Sequence, residues 1–446
     1  MAESNVVSVE EAAVAADVGQ QPAPSATSAP RLSAVASPVA ATVAAVVPAV
    51  SLQHPFLDPP EKPTQEGPEG IRFDFNGGCR VLLPEGDWRL EIRDQRSDAL
   101  VFADNGVGGK LAYTLKRYFV PFGFRAWRGA RTPENLVLDH TFDLRDRKVL
   151  IQFPVGTLGD LVGWFPYAVK FQREHGCRMT CSMAAVIADM FRDSYPEIEF
   201  LTPEEVDTSA YYATYNIGLF FEDPKLEKQP CDFRFVGLHR TAGYILGVDP
   251  TEERPKVHLP DDTRPIPEKY VCIAVQASTQ CKYWNYPDGW RQICAFLRDH
   301  GYRVVCIDKQ AAHGTGHVLS VLNQIPNGCE DQTGDRPLAE RARWLKHADF
   351  FIGLSSGLSW LAWAMETPVV MISGFTHPTN EFDTPYRVIN YHSCNSCWND
   401  QTIRFNHQDF NWCPRKAGTP DQFVCSRSIT PEQVKQVIKA IPGFGT

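Results

Sequence analysis

From residue 148 onward, short apolar runs alternate with longer amphipathic ones. RKVLIQFP is continuously apolar over strand length and runs into the turn VGTLGD, the pattern of a buried parallel strand. LVGWFPYAVKFQREH then carries its apolar residues at helical spacing. CRMTCSM and AAVIADMFRD repeat the pair. A second set follows: YVCIAVQA, GWRQICAFLRDHG, YRVVCID, PLAERARWLKHAD, FFIGLSS, GLSWLAWAME and TPVVMIS. A Pro-rich stretch, DPTEERPKVHLPDDTRPIPEK, divides the sets. The pattern predicts an α/β protein with two Rossmann-like domains, 146–262 and 263–390, facing each other across a cleft.

Upstream, over 69–145, the pattern is short, alternating and aromatic (IRFDFNGGCRVLLP, WRLEIRD, ALVFADN), which predicts a small β-rich domain. LAYTLKRYFVPFGFRAWRG mixes aromatics with arginines, as a contact surface or an ordinary domain edge would. Residues 1–68 are rich in Ala, Val, Pro and Ser and read as a disordered tail. Within 429–446, ITPEQVKQVIKAI reads as a short capped helix able to pack back across the domains.

Composition narrows the class. A formal charge of −9 without a basic run argues against nucleic acid as the main partner. The N-terminus lacks the basic-then-apolar order of a secretory signal, and no apolar run has the length of a membrane span. The 13 cysteines are odd in number, and several sit inside strand-like runs, which suits a reducing compartment. The expectation is a soluble cytoplasmic protein.

Four cysteines stand apart, in residues 391–428: Cys394, Cys397, Cys413 and Cys425. A Cys-x2-Cys turn aims two sulfurs at one point, and two more from a returning loop complete a tetrahedral structural metal site. Two disulfides or four unrelated thiols are the alternatives. Zinc and iron both accept four thiolates, so spacing leaves the metal open.

Ligands of open α/β sheets bind beyond the carboxyl ends of the strands. In the first such turn, Gly156 and Gly159 permit close backbone approach, and Asp160 opens a helix, either as a reactive acid or as one favoured by the helix dipole. The turn lacks the third Gly of a dinucleotide fingerprint and the Lys of a phosphate loop. In the second, Ser278, Thr279, Gln280 and Lys282 offer donors to a departing diphosphate, although Lys282 alone reads as a surface lysine. In the third, Ser355, Ser356 and Gly357 form a backbone cradle at a helix start. Asp308 ends a strand where an acid accepts from ribose hydroxyls. Three polar turns at strand ends across two domains describe a nucleotide-sugar cleft.

GTLGD, QCKYWNYPDGW and IGLSSGLSWLAWA resemble the corresponding turns of the bacterial ADP-heptose glycosyltransferases, which have the GT-B fold. With the β-rich N-terminal region and the four-cysteine segment, residues 70–441 look like the TibC-type autotransporter O-heptosyltransferases, possibly their BimC-like branch. The resemblance implies transfer of heptose from ADP-heptose to serines of an autotransporter passenger in the cytoplasm. It implies structural Fe3+, one per subunit (Zn2+ as alternative), no catalytic metal, and a dodecameric homo-oligomer. It makes Asp160 the general base, sets Thr157 and Leu158 beside the donor, and gives Lys282 the leaving group, aided by Thr279, Gln280 and the helix beginning near Gly357. Gln276, Asp308, Gly353, Ser356 and Leu358 complete the implied donor-binding set.

One departure stands out. Lipopolysaccharide heptosyltransferases carry Asp-Thr/Ser-Gly-Leu-x-His in the last motif; here Ser355, Ser356, Gly357, Leu358, Ser359 and Trp360 supply neither Asp nor His. That favours a protein acceptor. An adaptor that binds its autotransporter without transferring sugar is the second reading.

Overall fold

The computed structural model describes residues 6–7, 56–154, 157–314 and 323–445. The tail reading for most of 1–55, and Gly156 of the first turn, lie outside the described residues.

Four parallel strands, Lys148–Gln152, Arg178–Ser182, Glu199–Leu201 and Ala213–Asn216, stand in spatial order third, second, first, fourth. Val149, Leu150 and Ile151 are fully buried, as a strand covered on both faces requires. Helix α1 (Leu158–His175) follows the first strand and ends at Gly176, whose φ of 61° only a residue without Cβ adopts freely. Helices α2 (Ala185–Phe191), α3 (Phe233–Val236) and α4 (Arg240–Leu246) complete this half.

The second half repeats the plan. Strands Tyr270–Ile273, Arg303–Cys306, Glu330–Asp331, Phe351–Leu354, Val369–Ile372 and Arg387–Val388 are parallel, in the order third, second, first, fourth, fifth, sixth. Helices α5 (Gly289–Asp299), α6 (Leu338–Lys346) and α7 (Gly357–Ala364) connect them. The single turn α8 (Val424–Arg427) leads to α9 (Pro431–Lys439), opened by a Thr430–Gln433 capping box. Val434 and Ile438 of α9 are fully buried in the core of the second half, alongside Ile293 and Leu297 of α5. The closing helix therefore packs within one domain rather than across both.

The β-rich region is divided rather than separate. Strands Arg72–Asn76, Arg80–Leu82 and Leu111–Tyr113 extend the first Rossmann sheet, with Phe75 paired in parallel to Ala213. Trp88–Asp94, Ala99–Asn105, Phe122–Arg128 and Leu136–His140 make a second, four-stranded antiparallel sheet. Alternation along a strand reveals its two faces but not the neighbour it joins, so this continuity was invisible in sequence.

Residues 56–68, which composition joined to the tail, lie on the first sheet. The Leu57 backbone exchanges hydrogen bonds of 2.8 and 3.1 Å with the Gln152 side chain. Arg80 donates to the Pro60 carbonyl at 2.7 Å, and Gln65–Glu66 pairs with Arg72–Phe73. Local composition underestimates such a segment because its partners are distant in sequence.

Candidate active site

The two Rossmann units meet where α1 and α7 begin. A Cβ on Gly159 would stand 2.6 Å from Trp360 Cδ1, and one on Gly163 would stand 2.9 Å from Trp360 Cζ3. A Cβ on Gly357 would lie 2.9 Å from Leu158 Cβ. Small residues one helical turn apart let the indole seat directly on the α1 backbone. Trp360, at the position where the lipopolysaccharide enzymes carry His, is thus a packing wedge between the domains, 3% exposed. The two α-helical N-termini, each with free backbone N–H groups, open beside each other.

Asp160 is half-buried in the first turn of α1 and accepts a hydrogen bond from Thr157 Oγ1 at 2.8 Å. Burial pushes its carboxyl above the usual range, while the Thr157 hydroxyl and the Lys282 charge pull it back. Lys282 acts on Asp160 although it belongs to the other domain, so the structure brings these two expected residues together. Its ammonium also sits over the Phe375 ring, 5.7 Å from the centroid.

The rest of the expected donor set separates into groups. Ser356 caps α7 in an extended conformation, and its Oγ is buried without a hydrogen-bond partner. Leu158 and Leu358 are half-buried at the junction, and Thr157 is exposed. Gln276 is half-buried and donates to the Gln310 carbonyl at 2.9 Å. Thr279 and Gln280 are turned inward, 4% and 0% exposed, with Thr279 Oγ1 against Cys281 Sγ and the Gln280 amide bonded to Asn285. Gly353 is a packing position, since a Cβ there would meet the Phe351 ring at 2.4 Å.

Asp308 is also turned inward. It is 2% exposed, and its oxygens accept the N–H groups of Val275 at 2.7 Å and Gln276 at 3.3 Å. Burial raises its pKa to about 7. It braces the end of the first strand of the second Rossmann sheet, a role that strand-end position alone does not separate from ribose binding.

One buried network carried no local sequence signal. Glu381, 1% exposed, accepts from Ser355 Oγ at 2.6 Å, Asn380 at 3.1 Å and Arg387 at 2.6 Å. Burial pushes this carboxyl up, but the Arg387 charge and the Ser355 bond outweigh it and hold it below its ordinary value. The network fixes the Ser355–Ser356 turn from beneath.

The four C-terminal cysteines are half-buried free thiols. Burial pushes Cys425 up, and Cys394, Cys397, Cys281 and Cys413 push it further. Cys397 is raised to about 11 by burial, with Cys394 and Cys413 adding to it. The four therefore share one neighbourhood. Among the described residues, however, no three His, Cys, Asp or Glu side chains are gathered into a metal cage. As a donor set they fit a tetrahedral Fe or Zn ion, because a cation would relieve the mutual cost of their thiolates. Around them, Phe375, Trp398, Phe405 and Trp412 form an aromatic core that also takes in Cys281.

Paired Rossmann sheets with converging helix N-termini, an acid on one side and a lysine on the other, define a GT-B glycosyltransferase. Residues 67–130 match the domain described as "Glycosyltransferase TibC, N-terminal domain", and residues 246–408 match "Glycosyltransferase family 9 (heptosyltransferase)". The autotransporter heptosyltransferase TibC of Escherichia coli O78:H11 is 51% identical over 387 residues, 86% of this chain and 93% of that protein. The inactive autotransporter heptosyltransferase BimC of Burkholderia thailandensis is 48% identical over 389 residues, 87% of this chain and 90% of that one. The crystal structure of the dodecameric iron-containing heptosyltransferase TibC in complex with ADP-D-beta-D-heptose aligns with a TM-score of 0.82 at 50% identity, covering 87% of this chain and 100% of that one. The chain belongs to the autotransporter heptosyltransferase family.

Proposed function

We propose that this protein transfers heptose from ADP-heptose to serine hydroxyls of an autotransporter passenger in the cytoplasm, with Asp160 as general base. The observation carrying the reading is Asp160 itself: a half-buried carboxylate, made more basic by burial, at the α1–α7 junction and under the influence of Lys282. Asp160 takes the serine proton as the oxygen bonds to the anomeric carbon. The bond from that carbon to the diphosphate oxygen breaks, and the electron pair leaves with ADP. Lys282 and the N-terminus of α7 stabilise the charge that appears on the diphosphate.

Cys394, Cys397, Cys413 and Cys425 would hold one structural iron per chain, and no step of the transfer passes through it. TibC, a dodecameric iron-containing relative, supports the same features here.

Purified protein, ADP-heptose and the cognate passenger fragment are mixed, and the passenger is weighed by intact mass spectrometry. Heptose increments that disappear with Asp160→Ala support the reading. Passenger binding without increments would replace it with the adaptor reading, which the 48% identity to a relative named inactive favours.

A further inference from the structure

The segment joining the two Rossmann units carries a carboxylate that holds both of them. Glu252 lies between α4 and the first strand of the second sheet, its side chain 19% exposed. Its Oε2 accepts from His239 Nε2 at 3.1 Å and from the Asp383 backbone N–H at 3.0 Å. Its Oε1 accepts from Trp363 Nε1 at 3.1 Å. The Arg240 guanidinium stands 3.7 Å from Oε2. His239 and Arg240 belong to the first unit, at the start of α4; Trp363 and Asp383 belong to the second. One linker side chain thus receives hydrogen bonds from both domains.

The protonation states are fixed by the partners. A carboxylate only accepts, so His239 must carry its proton on Nε2. Burial holds this imidazole below its usual pKa, and its Nδ1 is buried without a partner, as a neutral ring permits. Burial raises Glu252, but the His239 bond, the Asp383 amide and Arg240 together keep it below its ordinary value. The clamp is therefore an ionised acid receiving three neutral donors beside the Arg240 charge, and an ionised acceptor makes the stronger kind of hydrogen bond.

What the clamp holds is the geometry of the active site. Trp363 lies one helical turn after Trp360 on α7, and Trp360 is the residue seated on Gly159 and Gly163 of α1. His239 meets Trp360 edge to face at 5.2 Å, and its Cβ would lie 3.1 Å from a Cβ on Gly163. Phe382, beside Asp383, stacks on Trp363 at 5.4 Å. Every group bonded to Glu252 is thus in or adjacent to the packing that sets α1 against α7.

We propose that Glu252 is a positioning residue for transfer: it locks the angle between the two Rossmann units so that Asp160 on α1 meets the donor held at α7. This rests on the heptosyltransfer reading above. GT-B catalysis needs the acceptor base and the donor, on different domains, in one productive geometry, and small misplacements are costly to the rate. Most of the expected donor contacts (Gln276, Thr279, Gln280, Lys282 and Ser356) lie in the second unit, with Thr157 and Leu158 on the first. Loosening the clamp therefore lowers kcat and leaves donor affinity nearly unchanged.

The test uses the full-length protein, with Glu252→Gln and Trp363→Phe alone and combined. The amide cannot accept from His239, Trp363 and Asp383 together, while the phenyl ring keeps the stacking and removes only the Nε1–H bond. The expected result for Glu252→Gln is a fall in kcat of about tenfold or more, with the ADP-heptose Kd within about twofold. Hydrogen exchange should quicken in peptides covering 158–163 and 357–364 but not in strand Tyr270–Ile273. The double variant should fall short of the product of the single effects, because both remove the same bond. An unchanged kcat, unchanged exchange at the α1–α7 junction, or parallel loss of kcat and donor affinity would each overturn the proposal. If wild type transfers no heptose, the functional reading fails, while the exchange measurement still decides whether Glu252 clamps the domains.

Discussion

Replacing Gly159 with Ala tests the close approach of α1 and α7 with a single methyl group. The new carbon would lie 2.6 Å from Trp360 Cδ1, 3.2 Å from Nε1 and 3.3 Å from Cγ, where ordinary contact begins at 3.4 Å. Trp360 is 3% exposed and bounded by His239, Trp363 and Phe382, so the ring has nowhere to turn. The helices must part by roughly 1 Å at the residue before Asp160. Overpacking of this kind costs about 1–3 kcal/mol, and the better helix propensity of Ala returns up to about 1 kcal/mol. The net loss, about 0–3 kcal/mol, would lower the melting temperature by only several degrees in a chain this long. A displacement of about 1 Å at the reacting centre, by contrast, is worth about 100-fold in rate. Activity should therefore collapse while the fold survives. Intact-mass time courses give the rate, differential scanning fluorimetry gives Tm, and Gly159→Ala combined with Trp360→Phe should regain at least about tenfold, since the smaller ring lacks the pyrrole edge. A Gly159→Ala protein with kcat within twofold of wild type would refute the reasoning that this contact sets the geometry.

Other outcomes follow from the same site. Asp160→Asn should reduce transfer by about 100-fold or more yet raise Tm at neutral pH. The sign follows from burial, which lifts the folded-state pKa of Asp160 above its unfolded value, so ionising it costs stability as pH rises through that interval; an equal or lower Tm would contradict this. Lys282→Met removes the charge that favours the Asp160 carboxylate, so the acid limb of the pH–kcat profile should move to higher pH, and a limb unmoved or moved downward would separate the two residues. Cys397→Ser should abolish about one iron per chain by elemental analysis and lower Tm by several degrees, with retention of full metal content counting against a four-cysteine site.

The strands of both Rossmann sheets were legible wherever burial on two faces produced an unbroken apolar run, as in Val149–Ile151 and Tyr270–Ile273. Ala213–Asn216 escaped because four residues with a polar end carry no period; the strand exists because Lys148–Gln152 and Arg72–Asn76 flank it. Asp160 and Lys282 were singled out because each follows a strand end, and the fold brings the two within electrostatic reach of each other. For Asp308, strand-end position does not state whether a carboxylate points outward or turns back; here it accepts the N–H groups of Val275 and Gln276. The loss of Asp and His in the last motif was visible, but the meaning of Trp360 depended on Gly159 and Gly163, about 200 residues away in sequence and one helical turn apart on the facing helix. Glu252 and Glu381 had no local signature, because what defines them is the set of distant donors each collects.

The four-cysteine segment is built into the second Rossmann unit. The Gln280 N–H donates to the Phe410 carbonyl at 2.9 Å, pinning the loop that bears Lys282 to the segment between the cysteine pairs. Cys281, 4% exposed, lies in the same aromatic core as Phe375 and Trp412. Phe375 is in turn the ring beneath the Lys282 ammonium. A Cβ on Gly374 would stand 2.4 Å from the Cys425 carbonyl oxygen, so the segment and the end of strand Val369–Ile372 touch at backbone distance. The loop is poor in aliphatic residues and rests on the aromatic core of Phe375, Trp398, Phe405 and Trp412, so a tie at its ends would hold these contacts more firmly. Such a tie would steady Phe375 and Phe410, the ring beneath the Lys282 ammonium and the carbonyl that pins its loop. On the proposed reading, in which Lys282 stabilises the leaving group, metal loss should raise the donor Kd, whereas loosening Glu252 should lower kcat alone.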